Sequence, residues 1–135
     1  MKVLVLGGKG MLGHKVFQVL SPRFQLYATF QQIDGAWARY PIYQQVERER
    51  LLIGVNAMNF DTVIRAFGQI RPDVVINCIG IIKQLKEAKD PVLSIQLNSL
   101  FTHRLAELCA ATETRLFHMS TDWVFSGSKG IYTET

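Results

Sequence analysis

Lys2-Val3-Leu4-Val5-Leu6-Gly7-Gly8-Lys9-Gly10-Met11-Leu12-Gly13 opens the chain on a short apolar run that breaks into closely spaced glycines. The run KVLVL has no polar alternation. That predicts a strand buried on both faces, as parallel sheets require. From Met11 onward, Met11, Leu12, Val16, Val19 and Leu20 recur near helical spacing. Ser21-Pro22 predicts the stop, because proline cannot continue a helix. The chain thus begins strand, glycine turn, helix.

The same pattern repeats downstream. Residues 24–30, rich in aromatic and branched side chains, predict a second strand. Residues 31–50 contain Gly35, Pro41 and several glutamines and read as loop with one short strand or helical turn. Residues 51–55 predict a third strand. Residues 60–70 predict a helix with Val63, Ile64, Phe67 and Ile70 on one face. Residues 73–76 (DVVI), following Pro72, predict a central strand. Asp90-Pro91 opens a long helix reaching about Ala111: aspartate suits the cap and proline the first helical position. Residues 115–119 predict a fifth strand, followed by loop with a glycine-serine stretch at 126–130. Alternating strands and helices imply right-handed crossovers, hence an α/β fold with a parallel sheet covered on both faces. No internal repeat or boundary divides residues 1–135, which read as one domain.

Composition narrows the class. The chain has 135 residues, 48% hydrophobic and 19% charged, which suits a globular domain with a core. No apolar run reaches the roughly 18 residues of a membrane span, and the first run is too short for a secretory leader. No membrane association and a cytoplasmic location are therefore expected. The net charge of +4 is spread along the chain. Lys83, Lys86 and Lys89 share their segment with Glu87 and Asp90, so they read as a solvated face. That pattern suits an anionic small molecule and does not call for nucleic acid. Cys78 and Cys109 lie in apolar segments without a CxxC partner and read as reduced core thiols. His14, His103 and His118 lack ligand spacing, so no metal is expected.

Gly7, Gly10 and Gly13 make a G-x-x-G-x-x-G turn between a buried strand and a helix. Glycine is needed there for the tight turn, for close approach of a pyrophosphate, and for packing helix on strand. The helix start then offers N–H groups and the positive end of its dipole to phosphate. This is the Rossmann-type dinucleotide arrangement: a doubly wound parallel sheet, truncated here after about the fifth strand. GKGMLGHK, residues 8–15, nearly matches the nucleotide-triphosphate P-loop. His14 puts Lys15 out of register, however, and no Ser or Thr follows it to hold magnesium. Dinucleotide domains that choose NAD often place an acid near the end of the second strand to hold the ribose 2′-OH. That place falls at Thr29-Phe30-Gln31, without an acid, and Asp34 is too far along. Lys9 and Arg39 are cations that could meet a 2′-phosphate, so NADP(H) is favoured over NAD(H).

Three further stretches carry a resemblance. Residues 71–80, RPDVVINCIG, residues 120–127, STDWVFSG, and Tyr132-Thr133-Glu134 are together similar to the dTDP-4-dehydrorhamnose reductases, a branch of the extended short-chain dehydrogenases. The resemblance spans almost the whole chain, and the S-T-D-x-V-F-x-G run is its most specific part. It implies that Gly7, Gly10 and Gly13, with Lys9, Met11 and Leu12 at the rim, hold the cofactor. It implies that Val55 and Asn56 touch adenine. Cys78, Ile79 and Gly80 would lie beside the ribose next to the nicotinamide, and Thr121 would be the catalytic Ser/Thr.

The implied reaction is NAD(P)H-dependent reduction of a nucleotide-linked keto-sugar. Thr121 would polarise the substrate oxygen, and a tyrosine phenol, its pKa lowered by a lysine, would supply the proton. The chain departs from the family at Leu6, where Thr is usual, at Phe30, where some members have an acid, and at Trp123, where Tyr is usual. The catalytic Tyr-x-x-x-Lys is absent from residues 1–135. The expectation is therefore the N-terminal part of a protein about twice as long, inactive alone, exposing apolar surface, with a homodimer left open for the whole protein. Two alternatives stay open: a sugar-nucleotide epimerase or dehydratase of the same superfamily, and a non-catalytic NADP(H)-binding sensor.

Overall fold

The computed structural model describes residues 1–32, 40–82, 89–120, 128 and 130. Five parallel strands form one sheet in the order β3-β2-β1-β4-β5. They are β1 (Lys2–Leu6), β2 (Gln25–Phe30), β3 (Leu51–Ile53), β4 (Val74–Asn77) and β5 (Arg115–His118). β1 is central: Val3 pairs with Leu26 on one side and Val74 on the other, and Val5 with Ala28 and Ile76. The doubly wound α/β expectation holds.

The period of two along the strands sorts side chains onto two faces. Leu4, Leu6 and Val75 point to one face, where helix α2 (Phe60–Ile70) and helix α4 (Phe101–Ala111) bring Val63, Phe67, Ile70, Phe101, Leu105 and Cys109. Val3, Val5, Ala28, Phe30, Val74 and Ile76 point to the other, against Phe17 of helix α1 (Met11–Leu20) and Tyr43. Both layers use side chains of β1 that are at most 2% exposed, which is why KVLVL carries no alternation.

Several expectations are corrected in detail. In α1 the buried residues are Gly13 and Phe17, while Met11, Leu12 and Val19 are exposed. Gly13 must face the strand end, and Phe17, four residues on, shares its face. The predicted apolar stripe instead walls an open groove of about 580 Å³, with Leu12, Val16 and Val19 facing Val74, Ile76 and Phe117. In α2, Ile64 lies outward at 45% exposure and Ala66 takes its place in the core.

The long helix expected from Asp90 is divided. It runs as α3 (Pro91–Ile95), a π-helical stretch (Gln96–Leu100) and α4. The Asp90 carboxylate accepts from the N–H groups of Val92 and Leu93 at 2.9 and 3.1 Å, as its cap position predicts. β3 ends at Ile53, two residues early, because Gly54 turns the chain with φ +82°. The segment between β2 and β3 contains 3-10 turns at Pro41–Gln45 and Arg48–Arg50; residues 33–39 lie outside the described part.

Candidate dinucleotide site

The chain leaves β1 for β2 on one side and returns from β3 to β4 on the other. The strand order therefore reverses between β1 and β4, and ligands of open α/β sheets bind in the crevice at that point, beyond the carboxyl ends of the strands. Both glycine-rich ends meet there. The Cys78 N–H donates to the Leu6 carbonyl at 3.0 Å. Gly7 adopts φ +86°, and a Cβ on it would meet Ile79 Cγ1 at 3.0 Å and the Cys78 carbonyl carbon at 3.3 Å. Gly7, at the head of the glycine turn, is thus brought against Cys78 and Ile79.

The turn is held by backbone and two side chains. The Gly10 N–H donates to the Gly7 carbonyl at 3.0 Å, closing the turn. The Gly7 N–H donates to Thr29 Oγ1 at 3.1 Å, and the Gly8 N–H to the Thr29 carbonyl at 2.9 Å. From the other side, the Tyr43 hydroxyl donates to the Gly8 carbonyl at 2.8 Å. Gly10 then caps α1 with extended backbone, no side-chain cap bond, and no acid in the first turn. The first N–H groups of the helix are left for another acceptor. Lys9 is exposed, and Met11 (82%) and Leu12 (43%) form an exposed rim.

At the end of β4, the fully buried Asn77 ties two pieces of chain. Its Oδ1 accepts from the Ile79 N–H at 3.0 Å, and its Nδ2 lies 3.1 Å from His118 Nδ1 at the end of β5. Asn98, on the π-helical stretch, grips Ile81: its Oδ1 accepts from the Ile81 N–H at 2.8 Å and its Nδ2 donates to the Ile81 carbonyl at 2.9 Å. A bulge of this kind in a long helix commonly marks a functional position. Burial pushes the Cys78 thiol up to about 11, so it stays neutral near pH 7.

Val55 and Asn56 lie past the end of β3, on the same carboxyl edge. Val55 is buried and its N–H donates to the Phe30 carbonyl at 3.1 Å. The Asn56 N–H donates to Thr62 Oγ1 at 2.8 Å, and its own Oδ1 accepts from Met58. Phe30 is buried, 5.0 Å from the Tyr43 ring, while Gln31 beyond it is exposed. Thr121 lies outside the described residues, as do Asp34, Arg39, Trp123 and Tyr132.

The sequence gives no sign that Tyr43, Asn98 and His118 belong to this region, nor that Thr29 would hold the glycine turn. Tyr43 sits in a segment without periodicity. Asn98 is one polar residue of a long helix. Asn77 did carry a signal, as an amide ending an otherwise apolar strand.

Along residues 1–135 the sequence matches the family described as RmlD substrate binding domain. The chain belongs to that family. The resemblance read from the motifs is thereby borne out. Among relatives of this family member, a dTDP-4-dehydrorhamnose reductase of Streptomyces griseus is 35% identical over 65 residues, covering 48% of this chain and 21% of the relative. The methionine adenosyltransferase 2 subunit beta of Rattus norvegicus is 27% identical over 139 residues, covering 98% of this chain and 36% of the relative. The chain therefore spans little more than a third of the length of these curated relatives at most. The crystal structure of a Bacillus anthracis dTDP-4-dehydrorhamnose reductase in complex with NADP shares the fold. Its TM-score is 0.71 at 22% identity, over 96% of this chain and 39% of that one.

Proposed function

We propose that this chain forms the dinucleotide-binding part of an NAD(P)H-dependent reductase of a nucleotide-linked keto-sugar. The observation that carries the reading is the uncapped start of α1, packed through Gly13 on Gly7, with Gly7 in turn against Cys78 and Ile79 just past β4, at the reversal of strand order. The glycines fit the cofactor by what they leave out: a side chain at Gly13 would collide with the Gly7 backbone, one at Gly7 would be strained at φ +86° and crowd Ile79, and one at Gly10 would crowd the Gly7 carbonyl at 3.3 Å. Bare backbone there suits a diphosphate settling on the helix N–H groups. NADP(H) is preferred over NAD(H) in this reading. No acid stands at Gln31 or Gln32, directly after β2, and the exposed Lys9 supplies a cation at the turn.

When bound, NAD(P)H supplies the hydride. The chain's own residues bind and orient it: Gly7 to Gly13 at the diphosphate, Val55 and Asn56 toward adenine, Cys78 to Gly80 beside the nicotinamide ribose. Thr121, through its family motif, holds the substrate oxygen. The proton donor of Tyr-x-x-x-Lys is not within residues 1–135, so this stretch alone is expected to bind without reducing. Residues 1–135 act as one cofactor domain, in the cytoplasm, with a nucleotide-sugar as the partner molecule.

A second reading, a non-catalytic NADP(H)-binding subunit, is favoured by the relative named as a subunit, which aligns with 98% of the chain. Calorimetric titration of the chain with NADPH and with NADH tests what both readings share. Several-fold tighter NADPH binding is expected. Equal affinities would remove the preference, and binding of neither would remove the cofactor claim. A Tyr-x-x-x-Lys in the gene downstream of Thr135 would favour the reductase over the subunit.

A further inference from the structure

Gly8 lies outside the G-x-x-G-x-x-G spacing, yet the structure gives it a reason. A Cβ there would stand 3.0 Å from Ala28 Cβ, 3.0 Å from Phe30 Cζ and 3.1 Å from the Tyr43 hydroxyl. Tyr43 is 1% exposed and arrives from a 3-10 turn that Pro41 helps to start. Its ring is caged by Phe17 at 5.1 Å, Phe30 at 5.0 Å and Tyr40 at 6.3 Å. Tyr40 in turn stacks on His14 of α1 at 3.9 Å. A buried hydroxyl needs a partner, and this one donates to the Gly8 carbonyl at 2.8 Å.

We propose that Tyr43 is a positioning residue of the dinucleotide turn, fixing the Gly8–Lys9 peptide with its carbonyl drawn into the core. The inference rests on the cofactor reading above. In a planar trans peptide the carbonyl and the following N–H point in opposite directions. Holding the Gly8 oxygen inward therefore directs the Lys9 N–H away from Tyr43, to the outer side of the turn. The Thr29 carbonyl holds the Gly8 N–H at the other end of the same residue, so both sides of Gly8 are anchored before any ligand arrives. Such preorganisation lowers the ordering cost of binding. Burial, then neighbouring Tyr40 and Cys78, push the Tyr43 hydroxyl well above the usual tyrosine range, so it remains a donor at any pH at which the fold is used.

The test compares Tyr43→Phe with the parent chain by calorimetry with NADPH and by amide hydrogen exchange. Val63→Ala, buried on the opposite face of the sheet, serves as the control for lost stability. Tyr43→Phe should weaken NADPH binding about tenfold and speed exchange at the Gly10 N–H by a similar factor, as loss of one buried hydrogen bond implies. Val63→Ala should lower the unfolding midpoint but leave NADPH affinity within about twofold. Unchanged affinity in Tyr43→Phe, or an equal loss in Val63→Ala, overturns the proposal. If the parent chain binds no nucleotide, the cofactor reading fails by itself. Exchange at Gly10 then decides for Tyr43, and an unchanged rate overturns its role.

Discussion

The Cβ that Gly13 lacks would fall on the carbonyl oxygen of Gly7, with the Gly7 carbonyl carbon 2.8 Å away and the Gly8 Cα 3.2 Å away. This contact sets how closely α1 approaches the end of β1. All of the atoms in the way are backbone, so no side chain can swing aside. Gly13→Ala should cost at least about 2 kcal/mol, at the upper end of overpacking effects. Gly10→Ala, whose Cβ would meet the Gly7 oxygen alone at 3.3 Å, should cost less than half as much. Urea unfolding of both variants checks the order.

Gly68 gives the opposite case. It lies in α2, is exposed, and has nothing within 4 Å of where a Cβ would stand. Its backbone is helical, so alanine fits without strain and narrows the unfolded ensemble. Gly68→Ala is expected to stabilise the chain by about 0.5–1 kcal/mol. A lowered thermal midpoint would contradict the helical register of α2.

These two glycines show what sequence could and could not convey. Gly13 was legible because three glycines stood at fixed offsets after an uninterrupted apolar run, and both patterns are local. The strands and helices were legible for the same reason, to within a residue or two at their ends. The apolar stripe of α1 misled because hydrophobic spacing records where a surface can be buried, while Gly13 on Gly7 decides which side of the helix meets the sheet. Tyr43 was not legible at all. Its partner is 35 residues away in sequence, and its segment has no period to mark it. The π-helical stretch was hidden too: no local period marks it, and the contact Asn98 makes from it is with Ile81, 17 residues away.

The two thiols predict a loss of stability in alkali. Burial raises Cys78 and Cys109 to about 11 from an ordinary 9.0. Folded chain therefore holds these protons more tightly than unfolded chain. Below pH 9 both states are protonated and the full contribution is present. As pH rises through 9 toward 11, the unfolded thiols ionise first and stability falls. The urea midpoint should drop across that window. Cys109→Ser, which leaves a hydroxyl that does not titrate there, should flatten part of the drop. A midpoint that is level from pH 8 to 11 would rule out thiol burial as the cause.

Asn98 bears on the loop after β4. Its amide makes two hydrogen bonds to the backbone of one residue, Ile81, and a Cβ on Gly80 would stand 3.3 Å from its Oδ1. Replacing it with alanine removes both bonds at once. Asn98 is exposed, however, so water can take over part of the bonding. The cost should sit near 1 kcal/mol, well below that of a buried pair. Asn98→Asp separates the two bonds: the acceptor for the Ile81 N–H remains, but the donor to the Ile81 carbonyl is replaced by a charged oxygen that repels it. Asp should therefore be no better than Ala, even though it is nearly isosteric. If Asp restores slow amide exchange at Ile81, the N–H bond alone holds the loop. If neither variant changes that exchange, the loop is fixed from β4 and Asn77, and the π-helical stretch has some other origin.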